Sequence, residues 1–289
     1  MGFRSYIANK LTVWLNKETP PPSFPMEDFE QLSFEVRPGD ILLVKGRTRV
    51  SEVIKSITQS SWSHATIYIG RLPDIEDPML RELVLQHYHG PDDKQLIIEG
   101  LLGIGTVVSD LDSYAKDHLR ICRPSKLSRA DAQRIVAFLI AHLGDEYDLR
   151  QLLDLARFLF PWAILPRRWR STLFSHNVGD STKAVCSSII AEAFHRVKYP
   201  VLPVFNHDSE MNVRLVKRNS RLFTPADFDM SPYFDIIKNP FYGETGRGSY
   251  RDLPWAGDHI ISPDGTSVIN TKSNNTKQDT ENNDKTDNS

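Results

Sequence analysis

Ser181-Thr182-Lys183-Ala184-Val185-Cys186-Ser187-Ser188-Ile189-Ile190-Ala191-Glu192-Ala193-Phe194 is the stretch on which the reading of this chain turns. Apolar side chains recur at Val185, Ile189, Ala193 and Val197, and Ile190 and Phe194 widen the stripe, so the period is helical. Ser181 or Thr182 can supply the N-cap oxygen, which places the Cys186 thiol in the first turn. Unpaired amide N–H groups and the helix dipole there favour thiolate over thiol. Free cysteine is also among the most buried residue types and packs as a small hydrophobe. Taken alone, the stretch suits either a nucleophile or an inert core thiol.

Working outward, two upstream residues bear on that choice. Ser63 to Gly70 alternates like a strand, with His64, Thr66 and Tyr68 on one face and Ala65, Ile67 and Ile69 on the other. An imidazole titrates near neutrality and can take a proton from a thiol. Glu99 ends the apolar strand Leu96-Ile97-Ile98 and precedes Gly100. A carboxylate at a buried strand end is costly unless paired, and one natural partner is the second ring nitrogen of a histidine. A solvated strand end is the other reading. Gly144-Asp145-Glu146-Tyr147-Asp148 reads as a helix C-terminal turn, and its Tyr147 hydroxyl is a further candidate for the site.

Composition limits the functions open to the chain. Among 289 residues, 35 Lys and Arg face 37 Asp and Glu, a formal net charge of −2 that argues against a nucleic-acid binder. Cys122 and Cys186 are too few for a disulfide framework, and no ligand-pair spacing suggests a metal site, so neither metal nor other cofactor is expected. Met1 to Lys17 lacks the apolar core and cleavage site of a secretory signal, and no apolar run is long enough to span a bilayer. The expected compartment is the cytoplasm. The helical apolar face of Phe3, Tyr6, Ile7, Leu11, Trp14 and Leu15 either docks on the protein itself or lies on a membrane surface.

Strands are expected at Ile41–Val44, Ser63–Gly70, Glu82–His87, Gln95–Glu99, Gly105–Val108 and Leu119–Arg123. Helices are expected at Val50–Gln59, Arg129–Leu143, Leu149–Phe160, Val185–Val197 and Pro225–Phe228. Strands clustered before helices suggest an α+β fold with an antiparallel sheet.

Pro38-Gly39-Asp40-Ile41-Leu42, Trp62-Ser63-His64-Ala65-Thr66-Ile67-Tyr68-Ile69-Gly70, Ile97-Ile98-Glu99-Gly100, Gly144-Asp145-Glu146-Tyr147-Asp148 and Val185-Cys186-Ser187-Ser188-Ile189-Ile190 occur in this order. Together they resemble the permuted NlpC/P60 papain-like superfamily, and more narrowly its YiiX/YaeF-type permuted amidases. Thr224-Pro225-Ala226-Asp227-Phe228 with Ser231-Pro232-Tyr233-Phe234 is similar to that group's C-terminal segment. The resemblance implies a circularly permuted papain-like fold, with the antiparallel sheet packed on a C-terminal cysteine-bearing helix. It implies Cys186 as nucleophile, His64 as base, Glu99 as the residue orienting the imidazole, and Tyr147 near the nucleophile. The segment between Tyr147 and Cys186 is long, a departure that bears on access to the site.

On that basis residues 1–33 read as an amphipathic helix and Pro-rich linker, and 34–242 as the permuted papain-like domain with a 149–174 insert. Residues 243–289 read as an extension disordered from about residue 262, where the chain is polar. The implied chemistry is amide hydrolysis by acyl transfer through a thioester at Cys186, on a peptide or lipid amide. The alternatives are a lipid acyltransferase or thioesterase using the same residues, and a non-catalytic module binding lipid or peptide. The insert runs from apolar Phe158-Leu159-Phe160-Pro161-Trp162 to basic Arg167-Arg168-Trp169-Arg170. It suits either a core helix with a basic loop or a peripheral membrane contact, as residues 1–17 do.

Overall fold

The computed structural model describes residues 17–20, 28–101, 104–145, 185–207, 212–237, 256–257, 259–262 and 266–270. Tyr147, the 149–174 insert, residues 1–16 and the expected Ser181 or Thr182 cap lie outside them.

Helix α1 is Phe29–Glu35, followed by a turn at Pro38-Gly39-Asp40 into strand β1, Ile41–Lys45. Gly39 sits at a φ of 95°, in the left-handed region that a side chain resists. Helix α2, Arg49–Thr58, starts where the Thr48 side chain accepts the Ser51 N–H at 3.1 Å. Strand β2, His64–Arg71, runs into a 3₁₀ turn at Leu72–Asp74 and then helix α3, Pro78–His87. Strands β3, Gln95–Leu101, and β4, Gly105–Asp110, lead to a 3₁₀ turn at Leu111–Tyr114. Strand β5, His118–Pro124, and helix α4, Arg129–Ile140, come next. Helix α5, Val185–Arg196, carries Cys186. After it come strands β6, Val204–His207, and β7, Val213–Val216, helix α6, Pro225–Met230, and strand β8, Phe234–Ile237.

One expected strand is a helix. Glu82–His87 lies inside α3, where Asp77 caps the Met79 N–H and Pro78 takes the first helical turn. Leu80, Leu83 and Val84 fall at helical spacing and meet the main core, and that burial outweighs the local alternation. The polar tail also departs from expectation. Strand β10, Val268–Asn270, pairs antiparallel with β9, His259–Ile261, within the segment read as disordered from about residue 262. Its β-branched Val268 and Ile269 stand opposite Ile261 and Ile260, a cross-strand pairing the surrounding polar composition masked. By internal contacts the chain forms two compact units. One joins Met1–Thr19 to Phe29–Asn239; the other joins Pro20–Asp28 to Pro240–Ser289 and holds the β9–β10 hairpin.

The larger unit is built on a six-stranded sheet of order β4-β3-β2-β1-β5-β8, antiparallel at every pairing. Ile41, Leu43, Ala65, Ile67, Leu96 and Ile98 face one way, into a core shared with α4 and α5. Leu42, Val44, Tyr68, Ile97, Leu119 and Ile121 face the other way, under Leu32 of α1 and Leu111. Both faces are covered, which is why β1 reads as an unbroken apolar run rather than an alternation. Each fully buried Ile or Leu contributes roughly 1.5–3 kcal/mol of transfer free energy, so these two layers dominate the stability of the sheet.

Candidate active site

Strand β2 begins at His64, and the two residues before it are pinned. Ser63 accepts the Gly46 N–H on its hydroxyl at 2.9 Å, and its own N–H donates to the Val44 carbonyl at 3.0 Å. The Trp62 indole N–H donates to Asp229 of α6 at 3.1 Å, and Arg120 holds the other oxygen of that carboxylate at 2.7 Å. The Arg120 guanidinium lies 4.7 Å from the Trp62 ring centroid. The imidazole therefore projects from a fixed backbone.

Antiparallel pairing of β2 with β3 sets Glu99 opposite Thr66, two residues along from His64 and on the same side of the pleat. His64 Nε2 and Glu99 Oε2 are 2.7 Å apart, with side-chain exposures of 17% and 3%. That contact leaves Nδ1 of the ring free of Glu99, and the imidazole and the Cys186 thiol are near enough for each to shift the other's titration. Cys186 is the second residue of α5 and is buried. The Ser187 hydroxyl lies 3.9 Å from its sulfur, and the Ala65 backbone N–H favours its thiolate form.

The site straddles the end of the sheet. By pleat parity His64 and Glu99 belong to the α1 side, with Tyr68 and Ile97, whereas the helix bearing the thiol packs on the other side through Ile189 and Ile190. They meet where β2 and α5 both begin.

Electrostatics favour a standing ion pair. Burial alone would lower the His64 pKa, but the charges and hydrogen bonds of Cys186 and Glu99 outweigh it and carry the imidazole up to about 10. Burial would raise the Cys186 thiol; the imidazolium, the Ala65 N–H and the Ser187 hydroxyl instead hold it below its ordinary value. Glu99 is likewise raised by burial but held below the usual carboxylate value by donors from His64, Tyr114 and Ser109. Cys122 is the contrast. It is buried in β5 with no such partner, and desolvation pushes its thiol far up.

The fold thus brings Cys186, His64 and Glu99 together, while Tyr147 lies outside the described residues. Tyr114, whose hydroxyl donates to Glu99 Oε2 at 2.5 Å, and the donors Ser109 and Ser187 are additions that the sequence did not indicate. No spacing in the sequence signals Tyr114. It reaches Glu99 only because β3 and β4 fold into a hairpin and the 3₁₀ turn doubles back over the α1 side. Among the described residues no group of three or more His, Cys, Asp or Glu could hold a metal ion, and no helix is long and apolar enough to cross a membrane.

Residues 35–157 match a family model described as permuted papain-like amidase enzyme, YaeF/YiiX, C92 family. The matched segment, less than half of the chain, is similar to YaeF/YiiX-type permuted papain-like amidases. It contains His64 and Glu99 and ends before Cys186. The family is one of papain-like cysteine amidases. A crystal structure of metalloprotein yiiX from Escherichia coli O157:H7 is similar at 14% identity and a TM-score of 0.41, covering 71% of this chain and 97% of that one. None of the curated proteins compared matches the chain.

Proposed function

We propose that this chain is a permuted papain-like amidase that cleaves an amide by acyl transfer through a thioester on Cys186. The observation that carries the reading is a buried thiol coupled to an imidazole whose far nitrogen is held by a carboxylate. The Cys186 thiolate attacks the carbonyl carbon, and the C–N bond breaks as the His64 imidazolium gives its proton to the departing amine. The neutral imidazole then takes a proton from water, whose oxygen attacks the thioester and releases the acid. Glu99 keeps the ring oriented and balances its charge in both steps. The backbone N–H of Cys186, at the start of α5, is the oxyanion donor. The substrate class we favour is a peptide or lipid amide.

Labelling with a thiol-reactive acyl probe tests this on the full chain. Wild type and Cys122→Ala should label alike, Cys186→Ala should not label, and His64→Ala should slow labelling roughly 10²-fold or more at neutral pH. Labelling indifferent to His64 would remove the catalytic reading and leave a binding module.

A further inference from the structure

We propose that Tyr114 is a positioning residue of this site, a fourth member that clamps Glu99 so that the carboxylate in turn fixes the imidazole facing Cys186. The inference rests on the reading of Cys186, His64 and Glu99 as the reacting set. Tyr114 does not meet the substrate in it; it acts through Glu99.

Geometry comes first. One carboxylate oxygen, Glu99 Oε2, receives both the Tyr114 hydroxyl at 2.5 Å and the His64 ring at 2.7 Å. A carboxylate has no proton to give, so the phenol can only donate. The Tyr114 ring lies 6.1 Å from the imidazole, tilted by 34°, and so flanks the histidine as well as its partner. The placement is rigid. Leu111, fully buried, anchors the 3₁₀ turn in the second core, and Ser113 ties its hydroxyl to the Asp110 carbonyl at 2.7 Å. The Asp117 N–H closes on the Tyr114 carbonyl at 2.9 Å.

Chemistry follows from two donors sharing one oxygen. The phenol withdraws electron density from Oε2, so the carboxylate neutralises the imidazolium less completely than it would alone. More of the positive charge is then left to stabilise the thiolate at Nδ1. The phenol itself stays protonated, since burial and then the Glu99 charge push its pKa well above the ordinary value. Removing it has consequences of one sign. Glu99 becomes more basic, and the imidazolium is more fully neutralised. Each raises the pKa of Cys186. A residue that merely packed against the core would change stability without moving the thiol's titration.

The experiment is the rate of Cys186 alkylation by iodoacetamide across the pH range, on full-length protein carrying Cys122→Ala. Wild-type, Tyr114→Phe and His64→Ala forms are compared, together with protein bearing 3-fluorotyrosine at position 114. In Tyr114→Phe the acid limb should move up by about one pH unit, so that the rate at a fixed pH on that limb falls roughly tenfold. The fluorinated phenol, a stronger donor of nearly the same shape, should move the limb down. Limbs that superimpose on wild type overturn the proposal. If Tyr114→Phe does not fold, the 3-fluorotyrosine protein decides: a downward shift supports the clamp, and none overturns it. His64→Ala separates the two levels. If it leaves the wild-type profile unmoved, the acyl-transfer reading fails and this inference with it; if it shifts the profile but the Tyr114 forms do not, only the inference fails.

Discussion

At the scale of single residues, the site works by trading burial against pairing. Cys186, His64 and Glu99 are each penalised as charged groups by desolvation; the imidazolium favours both anions, and the two anions together favour the imidazolium. The coupling sets a pH dependence. With the His64 pKa raised to about 10, the ring is imidazolium at neutral pH and loses its proton only as pH rises through that value. Removing the thiolate with Cys186→Ala takes away the largest of the raising effects while burial still lowers the pKa. The ring-proton NMR midpoint of His64 should then fall from about 10, and a midpoint that stays put would mean that Glu99 alone carries the shift. His64 and Glu99 were legible in the sequence because a polar residue at the end of an apolar strand stands out. Tyr114 was not, because nothing local distinguishes it from any other tyrosine in a turn.

At the scale of elements, α5 is the means by which the thiol is delivered. Its stripe of Ile189, Ile190, Ala193 and Phe194 is buried against the sheet and α4, so the position of its first turn follows from packing further along. Phe194 is fully buried, with ring centroids of Tyr199 and Phe234 each 5.4 Å away. Phe194→Ala should cost about 3–5 kcal/mol, read from urea denaturation. It should also slow alkylation of Cys186 in the folded protein, since the helix loses the anchor that sets its register on β2. A loss below about 1 kcal/mol would show that the helix is held elsewhere. The helical period of this element was plain in the sequence. That of α3 was misread as a strand, because a short apolar run carries little information until its burial is known.

At the scale of the whole molecule, the sheet is tied together at the end away from the site by Asp40 and Arg123. The guanidinium grips the carboxylate at 2.8 and 3.0 Å and also donates to the Glu35 carbonyl at 2.7 Å, joining β1, β5 and α1. Asp40 is 3% exposed and, because burial outweighs the arginine, its pKa is raised above the ordinary 3.8. Such a group favours the fold fully below its unfolded pKa and loses that contribution as pH rises through the folded value. Arg123→Met would strand the carboxylate and raise its pKa further. It should cost about 3–5 kcal/mol at pH 7, and less at pH 5, where protonation relieves the buried charge. Equal losses at the two pH values in urea denaturation would show that Arg123 acts through packing instead. What the sequence by itself determined was the helix or strand character of the elements that carry the site and their order, His64 before Glu99 before Cys186, because periodicity and turn chemistry are local. The meeting of those residues, the Tyr114 contact and the raised imidazole pKa were decided only by tertiary structure. They depend on strand register and on the depth at which charges are buried, and both arise between segments far apart in the chain.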